Sequence, residues 1–275
     1  MPYYRVAGEV PRKRHVRFYR ADGALYSEEL MGEEGFVSDS SLLYHRHPPT
    51  AIVKSEGLAG DSAESATPNH PLLPRHIRTG DLPRGGDLVQ GRQLLFANDD
   101  VRISFAAGED ASELYRNSAG DEVVYLRQGS ALFESVYGSL RAAAGDYVVI
   151  PRGTIHRWVP GAGGVEALAV EASGHIRPPR RYLSAFGQFL EHAPYSERDL
   201  RGPDGPLLAE GEDVGVIVRT RAGLTRLTYA RHPFDVVGWD GCLYPYTFNI
   251  ADFEPVTGRI HQPPPAHQVF EGTNF

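Results

Sequence analysis

The chain has 275 residues, of which 41% are hydrophobic and 23% are charged, an ordinary composition for a globular protein. Its formal net charge of −7 argues against nucleic-acid binding, and its apolar runs are shorter than the roughly 18 residues that a membrane span needs. The one cysteine, Cys242, excludes a disulfide within the chain and favours a reducing, cytoplasmic environment.

Alternation of apolar and polar residues dominates the chain and predicts an all-β protein. Eight segments are predicted strands: 101–105, 122–126, 131–137, 147–150, 165–170, 214–219, 224–229 and 246–250. Turns that contain glycine, aspartate or asparagine separate them, and the short spacing predicts a sandwich or barrel. The best helix candidate, Ser184–His192, is short.

The distribution of predicted strands divides the chain into four parts. Residues 1–93 contain N-terminal strands and, over 57–92, a proline- and glycine-rich arm that we expect to be a long surface loop or a covering arm. Residues 94–172 form a first strand-rich block, and 173–212 form a connection. Residues 213–275 form a second block, which we interpret as the incomplete start of a second copy of the same architecture.

Residues 145–156 read G-D-Y-V-V-I-P-R-G-T-I-H and resemble the second signature motif of cupins, G-x5-P-x-G-x2-H. In that motif the P-x-G turn directs the final histidine, here His156, toward the interior. Upstream, Glu122 and Gly129 match the E-x6-G end of the first cupin motif. Together these motifs predict a cupin-like β-sandwich or jelly roll.

The first cupin motif also carries H-x-H just before its glutamate, but residues 115–118 read Y-R-N-S. A metal site of this kind needs two or three imidazoles and often a carboxylate. With only His156 and Glu122 in place, we expect a barrel that keeps its shape without a metal. The H-x-H at His45 and His47 lacks a carboxylate at cupin spacing, and we interpret it as structural.

Residues 259–275 read R-I-H-Q-P-P-P-A-H-Q-V-F-E-G-T-N-F. Three consecutive prolines make this segment extended and stiff, so that His261 and His267 are held at low entropic cost. The residues after His267 look like the start of another strand, and we expect the protein to continue beyond Phe275.

Several segments, in order along the whole chain, resemble the bacterial homogentisate 1,2-dioxygenases. They are 41–45 (S-L-L-Y-H), 98–103 (N-D-D-V-R-I), 145–158, 196–200 (S-E-R-D-L), 233–239 (P-F-D-V-V-G-W) and 261–267 (H-Q-P-P-P-A-H). The resemblance implies a cupin-like sandwich with a metal-free first half and an iron-containing second half. It also implies that homogentisate and O₂ react to maleylacetoacetate, in tyrosine and phenylalanine catabolism, within a homo-oligomer that is a trimer or hexamer.

The resemblance places the Fe(II) ligands, two histidines and a glutamate, beyond Phe275, so it assigns no metal-binding or other cofactor-binding residue to these 275 residues. It makes His261 the catalytic residue that accepts a phenol proton, with His267 as second choice, and an ordinary histidine pKa near 6.5 suits that step. Two alternatives stay open. The substrate is another hydroxylated aromatic acid such as gentisate, or the chain truly ends at Phe275 and is a non-catalytic cupin-like binding protein.

Overall fold

The computed structural model describes residues 3–58, 66–255 and 267–273, and these contain sixteen β-strands and no α-helix. The strands are β1 (Arg5–Gly8), β2 (Ser27–Glu34), β3 (Val37–His45), β4 (Ile52–Gly57), β5 (Gln93–Ala97), β6 (Val101–Gly108), β7 (Leu114–Asn117), β8 (Glu122–Ser135), β9 (Gly138–Ala143), β10 (Asp146–Ile150), β11 (His156–Ala172), β12 (Leu200–Arg201), β13 (Val214–Thr220), β14 (Gly223–Tyr229), β15 (Val236–Gly241) and β16 (Tyr246–Asn249). Single 3-10 turns lie at Thr79–Asp81, Arg180–Tyr182, Glu197–Asp199 and Ile250–Asp252. Within this described part, no helix has the length and apolar character that a membrane crossing requires.

The all-β prediction is confirmed, and each of the eight predicted segments falls on a strand. Two of them, 122–126 and 131–137, belong to the single long strand β8. The helix predicted for Ser184–His192 was wrong, because the chain forms a hairpin-like turn there. Leu183 bridges to Phe189, and Gly187 takes the left-handed conformation at φ 80°, which ends any helix.

Two long strands, β8 and β11, give the molecule its cupin-like sandwich. The first half of β8 pairs with β10, and its second half pairs with β9. Strand β11 pairs with β8 over both halves, with β7 at His156 and with β6 along its C-terminal half. Each long strand therefore passes from one layer to the other and closes the jelly roll.

The remaining strands extend these layers. Strands β16 and β12 follow β10, whereas β13, β14 and β4 follow β7. A separate four-stranded sheet has the order β1-β15-β3-β2. It packs on the sandwich through Leu43 and Trp239, which share one buried cluster with Tyr137 and Phe248. The Trp239 indole N–H donates to the backbone oxygen of Tyr137 at 2.8 Å and fixes the contact.

A second core fills the sandwich itself. It contains apolar side chains from both halves of the long strands and from β10, among them Val124, Phe133, Val148, Trp158 and Ala167. Their neighbours along β8 and β10, Val123 and Val149, are buried in the first cluster, so both faces of these strands are covered. Rigidly packed and largely apolar side chains therefore surround the motif residues Glu122 and His156.

Strand β8 crosses between the layers at Gly129, which has φ 82° and whose added Cβ would lie 2.1 Å from the backbone oxygen of Gly164. We expect Gly129→Ala to lower the free energy of unfolding by roughly 2–4 kcal/mol, because strain and a backbone clash add. Gly163→Ala is the matched control: Gly163 has φ 88° but open space, so only about 1 kcal/mol should be lost. Urea unfolding of both variants tests this, and equal losses would contradict the assigned clash.

Candidate functional site

The residues of the two cupin motifs meet inside the sandwich in a group that we name the motif cluster: Arg92, Tyr115, Asn117, Glu122 and His156. Glu122 and His156 begin the two long strands, and both are 0% exposed. One oxygen of Glu122 accepts a hydrogen bond from Arg92 Nη2 at 2.8 Å, and the other accepts one from Asn117 Nδ2 at 2.8 Å. Both oxygens of this carboxylate are therefore already bound.

His156 is a neutral imidazole with one nitrogen unused. Its Nδ1 lies 3.0 Å from the carbonyl oxygen of Thr154, which can only accept, so Nδ1 carries the proton. Its Nε2 is buried and has no hydrogen-bond partner in the described structure. Burial lowers the pKa of His156 to about 4, even though the Glu122 carboxylate opposes this shift. The rings of Phe133 and Tyr115 enclose it, at centroid distances of 4.9 and 5.5 Å.

Arg92 supplies the positive charge of the motif cluster. Its side chain is only 8% exposed and donates to Glu171 at 2.9 Å as well as to Glu122. Its Nε donates to the backbone oxygen of Leu88, and its guanidinium lies 5.8 Å from the centre of the Tyr115 ring. Burial alone would raise the pKa of Glu122, but Arg92 outweighs burial and lowers that pKa to about 2.

The metal ion that the cupin motifs imply does not fit this cluster as it stands. Each oxygen of Glu122 already accepts a hydrogen bond, from Arg92 or Asn117, the Arg92 cation lies beside it, and His156 is the single imidazole of the cluster. Across residues 3–58, 66–255 and 267–273, no three histidine, cysteine, aspartate or glutamate side chains are arranged to hold a metal ion.

A second polar group lies between the four-stranded sheet and the sandwich, and we name it the histidine cleft: Glu29, His45, His47, Arg116 and Asp235. His45 Nδ1 lies 2.6 Å from Asp235 Oδ1, and its Nε2 lies 3.1 Å from Glu29 Oε2. Carboxylates at both nitrogens make His45 an imidazolium. Burial alone would lower the pKa of His45, but its hydrogen bonds to Asp235 and Glu29 raise it to about 9.

The other oxygen of Asp235, Oδ2, holds His47 in place. It accepts from the His47 backbone N–H at 2.8 Å and lies 3.2 Å from His47 Nδ1. One carboxylate thus holds both histidines of the H-x-H segment. Sequence analysis missed this link because Asp235 is 190 residues from His45 and no local spacing connects them.

The histidine cleft also contains a cation without a carboxylate partner. Arg116 Nη1 donates to the Tyr229 hydroxyl at 3.3 Å, whereas its Nε is buried without a hydrogen-bond partner. No ion pair joins Arg116 to a carboxylate in the described part of the chain. Charged and polar residues, the carboxylates of Glu29 and Asp235 among them, line about half of the cleft, and apolar residues line the rest, such as Met31, Pro48, Val136, Ile155 and Pro233. The cavity volume of the cleft is about 30 Å³, room for one or two water molecules, so in this conformation the Arg116 guanidinium has space beside it for water and not for an organic acid.

The structure describes one of the two histidines predicted to be catalytic. His261 lies outside the described residues. His267 is described, is exposed, and is not among the residues that line the histidine cleft. The residues after His267 contact the connection between the two strand-rich blocks. The backbone oxygen of Gln268 accepts a hydrogen bond from the Tyr182 hydroxyl at 2.9 Å, and Glu271 forms a β-bridge with Arg177.

Comparison with known proteins relates the whole chain to dioxygenases, although no protein-family profile matches it. A Saccharolobus solfataricus protein described as "Putative dioxygenase" is 37% identical over 281 aligned residues, which cover 100% of this chain and 71% of the relative. Homogentisate 1,2-dioxygenases from Bradyrhizobium diazoefficiens and Rhodopseudomonas palustris are 27% and 28% identical. Those matches cover 66% and 73% of this chain but only 41% and 44% of the relatives, so the chain spans less than half of their length.

Solved structures that resemble about a third of the chain include two cupins. A cupin superfamily protein from Desulfitobacterium hafniense covers 36% of this chain with a TM-score of 0.31 and 20% identity. A cupin-2 domain protein from Shewanella frigidimarina covers 30% with a TM-score of 0.28 and 17% identity.

The raised pKa of His45 gives a pH-dependent stability with a definite sign. The imidazolium stabilises the fold fully below about pH 6.5, and its contribution is lost as pH rises through about 9. The difference in unfolding free energy between the wild type and His45→Gln should therefore fall by roughly 3 kcal/mol from about pH 6 to about pH 9.5. Urea unfolding at the two pH values measures it.

Tyr229→Phe is the control for that measurement. Burial raises the pKa of Tyr229 above its ordinary value of 10, so its phenol stays protonated over this pH range. The loss of unfolding free energy on removing its hydroxyl should therefore be the same at the low and the high pH value. If His45→Gln also costs the same at both pH values, His45 is not held as an imidazolium.

Proposed function

Because the chain belongs to the dioxygenase family of the Saccharolobus solfataricus protein, we propose that it forms part of an Fe(II)-dependent ring-cleaving dioxygenase. Its proposed reaction converts homogentisate and O₂ to maleylacetoacetate, a step of tyrosine and phenylalanine catabolism, in a cytoplasmic homo-oligomer. The observation that carries the proposal is 37% identity over the full length of this chain. The weaker matches to homogentisate 1,2-dioxygenases support the choice of substrate.

The iron of the proposed enzyme lies outside the described residues, because the motif cluster does not fit it. The described part of the chain contributes the cupin-like sandwich and the histidine cleft, and we derive no chemical step through the metal. The proposed step for this chain is a proton transfer: the neutral imidazole of His261 accepts the proton of a phenol hydroxyl. The resulting phenolate is richer in electrons and therefore easier for O₂ to oxidise.

A second candidate function is the binding of a small organic acid without catalysis. Arg116 favours it, because its guanidinium has no carboxylate partner among the described residues, and the cleft that it lines, of about 30 Å³, must widen to admit the acid. This candidate and the first differ in one observable, since a binding protein consumes no oxygen. If the substrate is gentisate instead of homogentisate, oxygen is still consumed, and only the acid that reacts with it differs.

Measurement of oxygen uptake tests the proposal. The protein is produced as its gene encodes it, its intact mass is determined, and Fe(II) is supplied anaerobically. We expect one O₂ consumed per homogentisate, the absorbance of maleylacetoacetate as product, and a much lower rate with gentisate. A chelator should abolish uptake, and Fe(II) should restore it. Binding of homogentisate without oxygen uptake would establish the second candidate, and a faster reaction with gentisate would reassign the substrate.

Substitution of the two predicted catalytic histidines tests the proton transfer. His261→Ala should retain iron and lose turnover by roughly 10²–10⁴-fold, the range that general-base catalysis contributes. His267→Ala is the matched variant in the same proline-rich segment and should lose much less. Iron content and oxygen uptake are measured together, and undiminished uptake in His261→Ala would remove that residue from the mechanism.

A further inference from the structure

An open pocket lies at the end of the sandwich where β6 begins and β11 ends. The turn before β6, the residues after β11 and the turn between β13 and β14 form its walls. Its cavity volume is about 460 Å³, within the range of about 300–1,000 Å³ that is usual for small-molecule sites. We name it the arginine pocket, and its charged lining residues are Asp99, Asp100, Arg102, Glu171, Arg219 and Arg221.

Hydrogen bonds hold the walls of the arginine pocket in place. The backbone N–H of Ser173, after β11, donates to the backbone oxygen of Asp100, before β6, at 2.8 Å. In the turn between β13 and β14, the Thr220 hydroxyl accepts from the Ala222 N–H at 3.2 Å and donates to the Gly223 oxygen at 3.1 Å. A ligand therefore meets walls that are already ordered, which lowers the entropic cost of binding.

One carboxylate of the pocket, Glu171, is surrounded by three guanidinium groups. Arg92 Nη1 donates to its Oε1 at 2.9 Å, and Arg219 Nε lies 3.1 Å from its Oε2. Arg102 lies directly opposite Glu171 in the β6–β11 pair, but its Nε is 3.9 Å from Oε2. That distance is within the range of an ion pair and beyond that of a hydrogen bond. Glu171 therefore leaves the donors of Arg102 unused.

Arg102 is a cation whose hydrogen-bonding capacity is unfilled. In the described part of the chain its guanidinium forms the long ion pair with Glu171 and no hydrogen bond, and its Nε is buried without a partner. The side chain is 25% exposed and lines the pocket, so the rest of the guanidinium can be reached from solvent. Since unpaired donors of a charged group are unfavourable, an acceptor placed in the pocket would be bound.

The other charges of the pocket leave an excess of uncommitted positive charge. Arg221 is exposed in the turn between β13 and β14 and forms no ion pair with a described residue. Asp100 is engaged, since the Ser173 hydroxyl lies 3.5 Å from its Oδ1. Asp99 is exposed and opposes an anion. Two incompletely paired arginines therefore face one incompletely paired carboxylate.

We propose that the arginine pocket binds a small oxyanion, the carboxylate or phosphate group of an organic acid, and that Arg102 and Arg221 bind it. The planar fork of a guanidinium donates two parallel hydrogen bonds to either group. The volume of the pocket leaves space for the rest of a small acid beside that group. The inference does not rest on the proposed dioxygenase activity, because it uses no residue of that mechanism.

Isothermal titration calorimetry of the wild type with inorganic phosphate and with succinate tests the inference. Low ionic strength is needed, because salt screens the attraction between exposed charges. We expect saturable binding of one anion per chain, and the anion that binds more tightly shows which group the pocket prefers. Succinamide, the uncharged analogue of succinate, should not bind. No saturable binding of either anion, or equal binding of succinamide, would overturn the proposal.

Three substitutions locate the bound anion. Arg102→Gln should weaken binding by roughly 10- to 100-fold, and Arg221→Gln by roughly 3- to 10-fold, because each removes charge-assisted hydrogen bonds. Arg226→Gln is the matched control and should leave the affinity unchanged. Arg226 lies in the same hairpin with a similar exposure of 32%, but it pairs with Glu113 and does not line the pocket. Equal affinity in the wild type and Arg102→Gln would place the anion elsewhere and overturn the proposal.

Thermal unfolding gives a second readout. The bound anion should raise the unfolding midpoint of the wild type and of Arg226→Gln, but not that of Arg102→Gln, because a ligand stabilises only a protein that binds it. An equal rise in all three proteins would contradict the assignment of Arg102.

If Arg102→Gln does not fold, two exposed positions still decide the question. Arg221→Gln should weaken binding, whereas Asp99→Asn should strengthen it by about twofold or more, because a charge that repels the anion is removed. Neither side chain is buried, so both variants should fold. Any other pattern of affinities would overturn the proposal.

Discussion

The ion pair between Glu122 and Arg92 is the constraint on which the interior of this sandwich depends. A fully buried carboxylate at the start of the longest hydrogen-bonded pair of strands is unfavourable unless a cation accompanies it. Arg92 meets this requirement, and Asn117 binds the second oxygen of the same carboxylate. Since Arg92 also binds Glu171, it ties the beginning of β8 to the end of β11 and anchors the preceding segment, with Leu88 buried beside it.

The neighbouring residue, Asp121, extends this organisation to the surrounding loops. Its two oxygens accept hydrogen bonds from the backbone N–H groups of Arg152 and Ile176, at 2.8 and 2.9 Å. Asp121 therefore holds the turn before β11 and the segment after β11 in place. Of these two adjacent acidic residues, Glu122 fixes the interior of the sandwich, and Asp121 fixes the loops at its end.

The P-x-G turn connects the motif cluster to the histidine cleft. Gly153 and Ile155 line the cleft, whereas His156 points into the sandwich. Consecutive residues at the start of a strand face opposite sides, so a short motif serves two polar groups at once. The same turn therefore contributes residues to both polar groups.

The sequence predicted the strands and the inward direction of His156 well, because both depend on local patterns. Period-2 alternation marks the strands, and the cupin motif marks the turn before His156. The sequence did not predict which distant residues the site residues contact. Arg92 lies at the end of a proline-rich arm that we expected to be a surface loop or a cover, yet its side chain is buried. Asp235 meets His45 across 190 residues, a pairing that only the tertiary fold creates.

The central claim is that an arginine, not a metal ion, lies at the centre of this barrel, and that the iron of the proposed enzyme lies elsewhere. Anomalous X-ray scattering at the iron absorption edge, from crystals of the protein loaded with Fe(II), tests both parts in one map. We predict an anomalous peak outside the sandwich and none in the space between Glu122 and His156. A peak within bonding distance of His156 Nε2 would contradict the claim.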